Sequence, residues 1–328
     1  MLFLSLLSAL SGCFILDSQI DTPIDAEDAS VAIFEVPAGA SANGIGPALQ
    51  EAGYIEDVRV WKLYLKTREA GACLKAGRFE LSRSMNMPTI METLCGVPIP
   101  DDEPFTVIEG WRIREIDAAL AEKGWIAAGD YAAAANDPAR FELPFEIRGL
   151  TSLEGFLFPE TYKVEPDSFT AEGFIQRQLD TFEAKFMEPA GDSSDERGLY
   201  PLVIMASMIE REEPRASNMP MVSGIIWKRL DNSWNLGIDA TSRYTLENWN
   251  DRKAFLKKLR DEDDPYNTRK RAGLPPTPIG NPGIEALNAA VTPEDSLYWY
   301  YLHDSEGNLH PAENLRGHEA NRRKYNVY

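Results

Sequence analysis

The sequence is poor in the two side chains that most often bind transition metals. Its 328 residues include only three cysteines and three histidines. Cys73 and Cys95 lack the CxxC spacing of a zinc or redox motif. His303, His310 and His318 lie near the C-terminus, at separations unlike the i,i+4 pair of a zinc-binding helix. The sequence therefore predicts no metal site, and it indicates no cofactor.

An excess of positive charge is also missing. Lys and Arg number 33 against 52 for Asp and Glu, which gives a formal net charge of -19. Nucleic-acid-binding proteins present basic surfaces, and no basic stretch here would form one, so a nucleic-acid partner is excluded. With 44% hydrophobic residues the chain can bury hydrophobic cores, and its length suggests two or three folding units.

The N-terminal apolar run is short. It ends at Leu16, whereas a membrane-spanning helix needs about 20 apolar residues. Its length is typical of an export signal. The four residues Leu10-Ser11-Gly12-Cys13 resemble the lipobox of bacterial lipoproteins, which makes Cys13 a candidate for lipidation. An ordinary signal peptide or a truncated membrane helix is the alternative.

This N-terminus predicts an exported protein that faces the periplasm or cell wall, anchored by a lipid or by a membrane helix. Residues 1–13 are interpreted as the signal or lipobox-like segment. Residues 14–30 are polar and acidic with scattered proline, which is typical of a tether. In an oxidising compartment Cys73 and Cys95 could form a disulfide, but two buried free thiols are an equal alternative.

An internal repeat links two distant segments. VPAGASANGIGPALQEAGYI, residues 36–55, matches VIEGWRIREIDAALAEKGWI, residues 107–126. Each copy predicts a strand, a turn at glycine, an amphipathic helix and a terminal glycine in a left-handed conformation. The first copy continues into a Gly-turned strand and a short helix. Such a unit could bind an extended polymer or serve only as scaffolding.

Aromatic and acidic residues alternate in LEGFLFPETYKV, residues 153–164. Phe156, Phe158 and Tyr162 lie between Glu154 and Glu160. Aromatic faces pack against the apolar faces of sugar rings, so this pattern favours a sugar-binding cleft. The alternative is one edge of a hydrophobic core.

An uncharged helix precedes a cluster of acids in the middle of the chain. LYPLVIMASMI, residues 199–209, is followed by Glu210, Arg211, Glu212, Glu213 and Pro214. Burial against the apolar helix and the negative end of the helix dipole should raise the pKa of Glu210, as a general acid requires. Glu212 and Glu213, nearer the helix end, are expected to be solvated. The alternative is that all three acids only promote solubility.

Six motifs follow one another along the chain in a recognisable order. They are EGWRIREI, LEGFLFPETY, ASMIERE, SGIIWKRLDNSWNLGIDATSRYTL, DDPYNTRKRAGLPPTPIGNPGIEALNAAVTP and YWYYLHDSEGNLHPAENLRGHEANRRKY. Together they resemble the YceG-like endolytic murein transglycosylases over about residues 31–328. The resemblance implies a LysM-like module, membrane attachment and cleavage of nascent peptidoglycan glycan strands. It also implies penicillin-binding proteins, and the machinery of cell-wall elongation or division, as partners.

The resemblance also implies roles for individual residues. Glu210 occupies the position of the catalytic glutamate. The residues matched to the substrate cleft are Glu154, Phe158, Glu160, Tyr162, Asp239, Thr241, Tyr266 and Asn267.

The chain departs from the family pattern at two places. Where the family has Gln-x-Asp-Pro-Thr, the chain has Gly237 and Ala240 in place of the amide and the proline. Pro311 and Ala312 replace a Phe-Ser pair, and Glu319 follows His318 where asparagine is usual. These changes affect the expected substrate contacts and leave the proposed acid in place.

The implied reaction needs one carboxyl group. Glu210 would protonate the glycosidic oxygen between MurNAc and GlcNAc and then accept the proton of the muramic 6-hydroxyl, leaving a 1,6-anhydro end. One rival is a hydrolase that adds a second acid, Glu154, Glu160 or Asp239. The other is a non-catalytic wall-binding lipoprotein. The predicted fold is α+β, with a LysM-like module at residues 31–105 and a mixed α/β catalytic domain at residues 106–328.

Overall fold

The computed structural model describes residues 18–190 and 197–327. The signal or lipobox-like segment, including Cys13, lies outside the described residues. Within the described ranges every helix is too short or too polar to cross a membrane. The chain forms two units, which divide between Asp102 and Glu103. Helices and antiparallel strands both contribute, so the α+β prediction is confirmed.

The first unit has two strands and three named helices. In chain order they are β1 (Val31–Val36), α1 (Gly46–Glu51), α2 (Val58–Thr67), β2 (Gly77–Ser82) and α3 (Met87–Cys95). β1 and β2 pair antiparallel, from Val31 opposite Ser82 to Val36 opposite Gly77. The helices cover a core that includes Trp61, whose indole N–H donates to the carbonyl of Ala42 at 2.8 Å. That bond satisfies the one polar atom of a fully buried ring.

Cys73 and Cys95 form a disulfide in this unit. Cys95 is the last residue of α3, and Cys73 lies in the connection between α2 and β2. The bond therefore attaches the end of α3 to a connection that has no regular secondary structure. Of the two alternatives left open by the sequence, the structure contains the disulfide.

Residues 18–30, which belong to the predicted tether, are mostly exposed but contact the first unit at a few points. Ile20 is only 2% exposed and belongs to the core of the first unit. The N–H of Asp25 donates to the carbonyl of Arg83 at 3.0 Å, and the Asn86 side chain donates to the carbonyl of Asp21 at 3.2 Å. Ile20 is therefore the one buried apolar contact of this acidic segment within the described residues.

The second unit is mainly helical. Its elements are β3 (Glu103–Thr106), α4 (Ile113–Glu122), α5 (Asp130–Ala135), β4 (Thr161–Val164), α6 (Ala171–Phe182), α7 (Leu199–Glu212), α8 (Met219–Asp231), α9 (Asp239–Arg243), α10 (Arg252–Lys258), α11 (Ile284–Val291) and α12 (Leu315–Lys324). β3 and β4 pair antiparallel, with Glu103 opposite Val164. The C-terminal segment adds isolated bridges, Tyr300 with Ala312 and His303 with Leu309, which form a hairpin next to the end of α7.

α7 is the central helix of the second unit. Every residue from Leu202 to Ile209 is buried, as the uncharged sequence predicts, and α7 packs along α11. The Ser207 hydroxyl donates to the carbonyl of Ile204 at 2.7 Å and accepts the N–H of Ile279 at 3.0 Å. α7 is thus fixed to the segment that precedes α11, and its polar C-terminal end is held at a defined place.

Both copies of the repeat adopt the predicted local structure. The opening glycines, Gly39 and Gly110, have φ of 76° and 77°, and the closing glycines, Gly53 and Gly124, have φ of 76° and 75°. L-residues rarely adopt these values. A helix ends before each closing glycine, and Leu49 and Leu120 are fully buried in their respective cores.

Candidate active site

The C-terminal end of α7 presents its acids in different directions. The helix ends at Glu212, and Glu213 has extended φ and ψ of -131° and 106°, as expected for a residue before proline. Two residues correspond to about 200° of helix rotation, so Glu210 and Glu212 face nearly opposite sides. The two carboxyl groups therefore have different neighbours.

Glu210 faces the loop that enters α11. Its Oε2 accepts the N–H of Gly283 at 3.0 Å. Burial raises the pKa of Glu210, the Glu109 carboxyl raises it further, and the Gly283 bond and Arg211 act in the opposite direction. Gly110 lies against this side chain, because a Cβ built on it would be 3.4 Å from Glu210 Cγ. The raised pKa expected for Glu210 is thus present.

Glu212 has a perturbed carboxyl as well. Burial raises the pKa of Glu212, and the nearby Asp239 carboxyl raises it further. The hydrogen bond from Tyr301 lowers this pKa, as do the nearby side chains of His303 and Arg229. The Tyr301 hydroxyl donates to Glu212 Oε2 at 2.9 Å. The expectation that Glu212 is solvated is therefore wrong. Tyr301 comes from about 90 positions later in the chain, and Arg229 and Asp239 come from α8 and α9, so inspection of α7 alone could not identify them.

Glu213 is also not solvated. Its side chain is fully buried. The carboxylate accepts the N–H of Arg215 at 2.8 Å and the Asn218 amide at 3.2 Å, and it lies 3.0 Å from His303 Nε2. These bonds fix the chain after α7 and hold the C-terminal hairpin beside it. Glu213 is a structural acid.

Glu212 lines an open cleft of about 570 Å³. The wall carries three acids, three arginines and three aromatic rings: Glu212, Asp239, Glu319, Arg229, Arg269, Arg322, Trp234, Tyr300 and Tyr301. Arg229 is held by the carbonyls of Trp299 and Leu236 at 2.8 and 2.6 Å. A cleft of this size and composition suits a polar ligand with apolar faces, and its protonatable acid is positioned by a tyrosine.

Among the predicted site residues, Asp239 lines the same cleft as Glu212. Its Oδ1 accepts from Arg269 Nε at 2.6 Å. Thr241 and Asn267 are fully buried. The Thr241 hydroxyl donates to the carbonyl of Ile238 at 2.8 Å, and the Asn267 amide donates to the carbonyl of Asp261 at 2.7 Å. These two side chains hold the backbone around the cleft.

Tyr266 lies outside the residues that line this cleft. Its hydroxyl shares a 2.8 Å hydrogen bond with Thr277, and its ring lies 4.9 Å from that of Tyr244. The Tyr244 hydroxyl in turn donates to Glu154. Tyr266 is therefore part of the support for the Glu154 network.

Phe158 and Tyr162 belong to the hydrophobic core and are 4% and 3% exposed. The Tyr162 hydroxyl donates to the carbonyl of Phe158 at 2.7 Å. Glu160 forms an ion pair with Lys185. Because both rings are buried, neither could stack on a sugar. The segment is arranged as one edge of a hydrophobic core, which was the alternative to a sugar-binding cleft. Alternating aromatic and polar residues produce the same pattern at a core edge and in a cleft.

Glu154 connects three segments around Glu210. The carboxyl is 3% exposed and accepts the N–H of Ile113 at 3.1 Å, the Tyr244 hydroxyl at 3.1 Å and the Asn281 amide at 3.2 Å. Burial raises its pKa to about 8, although the Ile113 and Tyr244 bonds act in the opposite direction. Glu154 is thus a buried positioning group, and Asn281, which the sequence did not single out, is its partner.

Asn281 brings the second repeat to this network. Its amide also donates to the carbonyl of Trp111 at 2.9 Å, and its Oδ1 accepts the N–H of Gly155 at 2.8 Å. Gly283, which donates to Glu210, follows two residues later. The asparagine therefore fixes the loop that supplies the Glu210 hydrogen bond.

Comparison with known proteins gives the family. A model of the YceG-like family matches residues 34–324. The chain belongs to the YceG-like family.

Relatives of this YceG-like chain carry a functional name. A Bacillus subtilis protein named endolytic murein transglycosylase is 25% identical, over 96% of this chain and 91% of its own length. A Streptococcus pneumoniae protein of the same name is 27% identical over 98% of this chain, which spans 63% of that relative. The fold is similar to the crystal structure of a YceG-like protein from Listeria monocytogenes, with a TM-score of 0.60. The two sequences are 26% identical, and the match covers 89% of this chain and 99% of the Listeria chain.

The positions where this YceG-like chain departs from the pattern are at or near the cleft. Gly237 and Glu319 line it, and Gly237 has φ of 69°. Glu319 forms an ion pair with Arg322 at 3.1 Å. Ala240 and Ala312 are buried. Among the described residues, no three His, Cys, Asp or Glu side chains are grouped so that they could hold a metal ion.

Proposed function

We propose that this chain is an endolytic murein transglycosylase, which cuts inside the glycan strands of peptidoglycan at the MurNAc-GlcNAc bond. The observation that carries the proposal is a half-buried, tyrosine-bonded carboxyl with a raised pKa at the end of α7, Glu212, in an open cleft. A carboxyl with a raised pKa can stay protonated near neutral pH and donate a proton. The names of the Bacillus and Streptococcus relatives support the same activity.

One glutamate performs two proton transfers in this mechanism. The protonated acid donates to the glycosidic oxygen as the bond from muramic C1 to that oxygen breaks. The 6-hydroxyl of the same sugar forms a bond to C1, and its proton passes to the carboxylate. The products are a 1,6-anhydro end and a free 4-hydroxyl, and the enzyme is regenerated. An intramolecular nucleophile has a large effective molarity, which offsets the absence of a second carboxylate.

The geometry favours Glu212 as the general acid and base. The sequence alone favours Glu210. Both have a raised pKa. Glu212 lines the cleft beside Asp239, whereas the carboxyl of Glu210 is bonded to a backbone N–H and lies by Glu109. Glu210 remains the competing assignment, and the two make different predictions for the same experiment.

Paired amide variants test the assignment on purified glycan strands. Glu212→Gln keeps the shape of the side chain, and we expect it to lose at least ~100-fold in rate, the usual scale of a general acid. Glu210→Gln on the same helix is the matched control, and its loss should be much smaller. The opposite ranking would return the role to Glu210, and two fully active variants would contradict the single-acid mechanism. A fully silent wild type on all strands would favour the wall-binding alternative.

The hydrolase alternative has one supporting observation. Asp239, a candidate for the second acid, lines the cleft together with Glu212. Two carboxylates in a cleft can activate water in place of the 6-hydroxyl. Mass spectrometry of the products distinguishes the reactions, because hydrolysis leaves a reducing end and the transglycosylase leaves an anhydro end.

The first unit is proposed to be a LysM-like module that binds the glycan strand. The order β1-α1-α2-β2, with the strands paired antiparallel, supports this proposal. Deletion of residues 18–102 should weaken cutting of long strands more than cutting of short oligosaccharides. A circular dichroism melting curve must show that the remainder is folded. Equal effects on both substrates would make the first unit a spacer.

Anchoring and partners extend the proposal. A lipid on Cys13 or a membrane helix would hold the enzyme at the membrane, facing the periplasm or cell wall, near penicillin-binding proteins and the elongation or division machinery. Metabolic labelling with a fatty-acid analogue that disappears in Cys13→Ala would support the lipid. Labelling that persists in this variant would exclude Cys13 as the acceptor.

A further inference from the structure

Trp234 is an exposed aromatic ring in the wall of the cleft that contains Glu212. The chain has seven tryptophans, all in the described ranges, and Trp234 alone among them is exposed, at 42%. Exposing a large apolar ring to water is unfavourable unless the ring contacts something else in the working protein.

The residue before Trp234 has a strained backbone conformation. Trp234 follows the end of α8, where its N–H donates to the carbonyl of Arg229 at 2.8 Å and the Ser233 N–H donates to that of Leu230 at 3.0 Å. Ser233 has φ of 56°, at the position of a helix end where glycine is usual. A non-glycine residue in this conformation costs about 1 kcal/mol, and such strain is concentrated at functional sites.

Two aromatic rings contact the Trp234 ring. Trp299 lies 4.7 Å away between ring centroids, and Tyr300 meets the ring edge-on at 5.9 Å. Trp299 and Tyr300 belong to the C-terminal hairpin that also supplies Tyr301, the donor to Glu212. The same hairpin therefore fixes the orientation of the tryptophan and of the acid.

Polar groups lie beside the ring in the cleft. Asn235 is the next residue, and its amide donates to the carbonyl of Arg269 at 3.0 Å. Arg269 and Asp239 form an ion pair in the same wall. A pyranose has apolar C–H faces and a polar rim of hydroxyls, so an aromatic face flanked by charged and amide groups matches it.

We infer that Trp234 is the platform on which one pyranose ring of the glycan strand stacks when the strand lies in the Glu212 cleft. This inference rests on the proposed function, since it assigns the occupant of the same cleft. Stacking would fix one sugar relative to Glu212 and so select which glycosidic bond meets the acid. Trp234 is a substrate-positioning residue in this arrangement and takes no part in proton transfer.

The test separates binding from cutting. The probe is a purified tetrasaccharide of alternating GlcNAc and MurNAc, titrated into full-length Glu212→Gln by calorimetry. Adding Trp234→Ala to that background should weaken binding about ten-fold, and Trp234→Phe should recover part of the loss because it restores an aromatic face. Leu256→Ala is the control, because Leu256 is equally exposed, at 44%, on α10. It should bind as Glu212→Gln does.

Activity assays on the otherwise wild-type chain give a second reading. Trp234→Ala should raise KM with a smaller change in kcat, and melting curves should match the parent within a few degrees. Unchanged tetrasaccharide affinity in Trp234→Ala would overturn the inference, as would equal weakening by Trp234→Ala and Trp234→Phe. Binding that depends on Trp234 in a protein that cuts no strand would support the inference and refute the proposed activity.

Discussion

The two copies of the repeat have the same local fold and different surroundings. In the first copy, a Cβ added to Gly39 would meet nothing within 4 Å. In the second, a Cβ added to Gly110 would lie 3.2 Å from Arg211 Nε, and the N–H of Gly110 donates to the carbonyl of Asn281 at 2.7 Å. The residues that the two copies share therefore specify the turn and the helix. The contacts that each turn and helix make with the rest of the protein depend on residues that differ between the copies.

The entry to the helix shows this difference most clearly. Ser41 Oγ accepts the N–H of Gly44 at 3.1 Å, which is a local bond. Arg112 occupies the equivalent position in the second copy and is 1% exposed. Its guanidinium donates to the carbonyls of Tyr244 and Leu246 at 2.6 and 2.8 Å, more than 130 residues away. Ser41 thus bonds only within its own turn, whereas Arg112 at the equivalent position bonds to a distant segment of the chain.

The largest effect should come from this pair of positions. Arg112→Ala removes a buried cation together with its bonds to Glu115 and to the carbonyls of Tyr244 and Leu246, so we expect a loss of roughly 3–5 kcal/mol in the second unit. Ser41→Ala removes one exposed bond and should cost about 1 kcal/mol in the first unit. Hydrogen exchange read by mass spectrometry reports each unit separately. Equal losses would show that Arg112, like Ser41, acts only at its own turn.

A smaller effect should appear as a pH dependence confined to the second copy. The N–H of Ile113, at the start of α4, is bonded to Glu154, whose pKa is raised to about 8 in the folded protein. The folded state holds this proton more tightly than the unfolded state. Its contribution therefore favours folding at low pH and is lost as pH rises from about 4.5 to 8, at up to about 1.4 kcal/mol per pH unit.

Glu154→Gln removes the titration and keeps a hydrogen-bonding side chain. The difference in unfolding free energy between this variant and the parent, measured by denaturant titration, should change steadily between pH 5 and 8 and level off above it. Glu115→Gln is the control, because the pKa of Glu115 is lowered by its bonds to Arg112 despite burial. A flat difference for Glu154→Gln would show that this carboxyl is ionised throughout.

The smallest effect should separate the opening glycines. Gly39→Ala and Gly110→Ala both place a Cβ at positive φ and should each cost about 1 kcal/mol in stability. Gly110→Ala should also slow strand cutting about ten-fold, because the new methyl group contacts Arg211 at the end of α7. Gly53→Ala and Gly124→Ala are matched controls with open space at both sites and should leave the rate unchanged. A rate loss in Gly39→Ala would contradict the assignment of the site to the second copy.

Local structure could be predicted where a local cause specifies it. The repeat was predictable because left-handed glycines and i, i+4 apolar residues act within twenty residues. α7 was predictable because the eleven consecutive uncharged residues 199–209 favour a buried helix. The exposure of Glu212 was mispredicted because its cover, Tyr301 and Arg229, comes from other elements. Phe158 and Tyr162 have a periodicity that does not distinguish a cleft from a core.

The cleft itself could be predicted only in part. Asp239 was found through resemblance to the family, and the structure places it beside Glu212. Trp234 was missed, although an aromatic residue directly after Asp231-Asn232-Ser233, a helix-ending stretch, is a signal in the sequence. Asn281 was missed because its importance depends on three backbone segments that meet only in the folded chain.

The disulfide has a consequence for the order in which the protein matures. Cys73 and Cys95 are 22 residues apart and lie wholly within the first unit. If the chain is exported as proposed, the cross-link can close once that stretch has reached an oxidising compartment, before the second unit has arrived there. A loop of this length contributes about 3 kcal/mol by restricting the unfolded chain, and the benefit is confined to the first unit. A reducing agent should accordingly loosen the first unit and leave the fold of the second unchanged, so that a chain produced without an oxidant would retain its cleft and lose the rigidity of its N-terminal part.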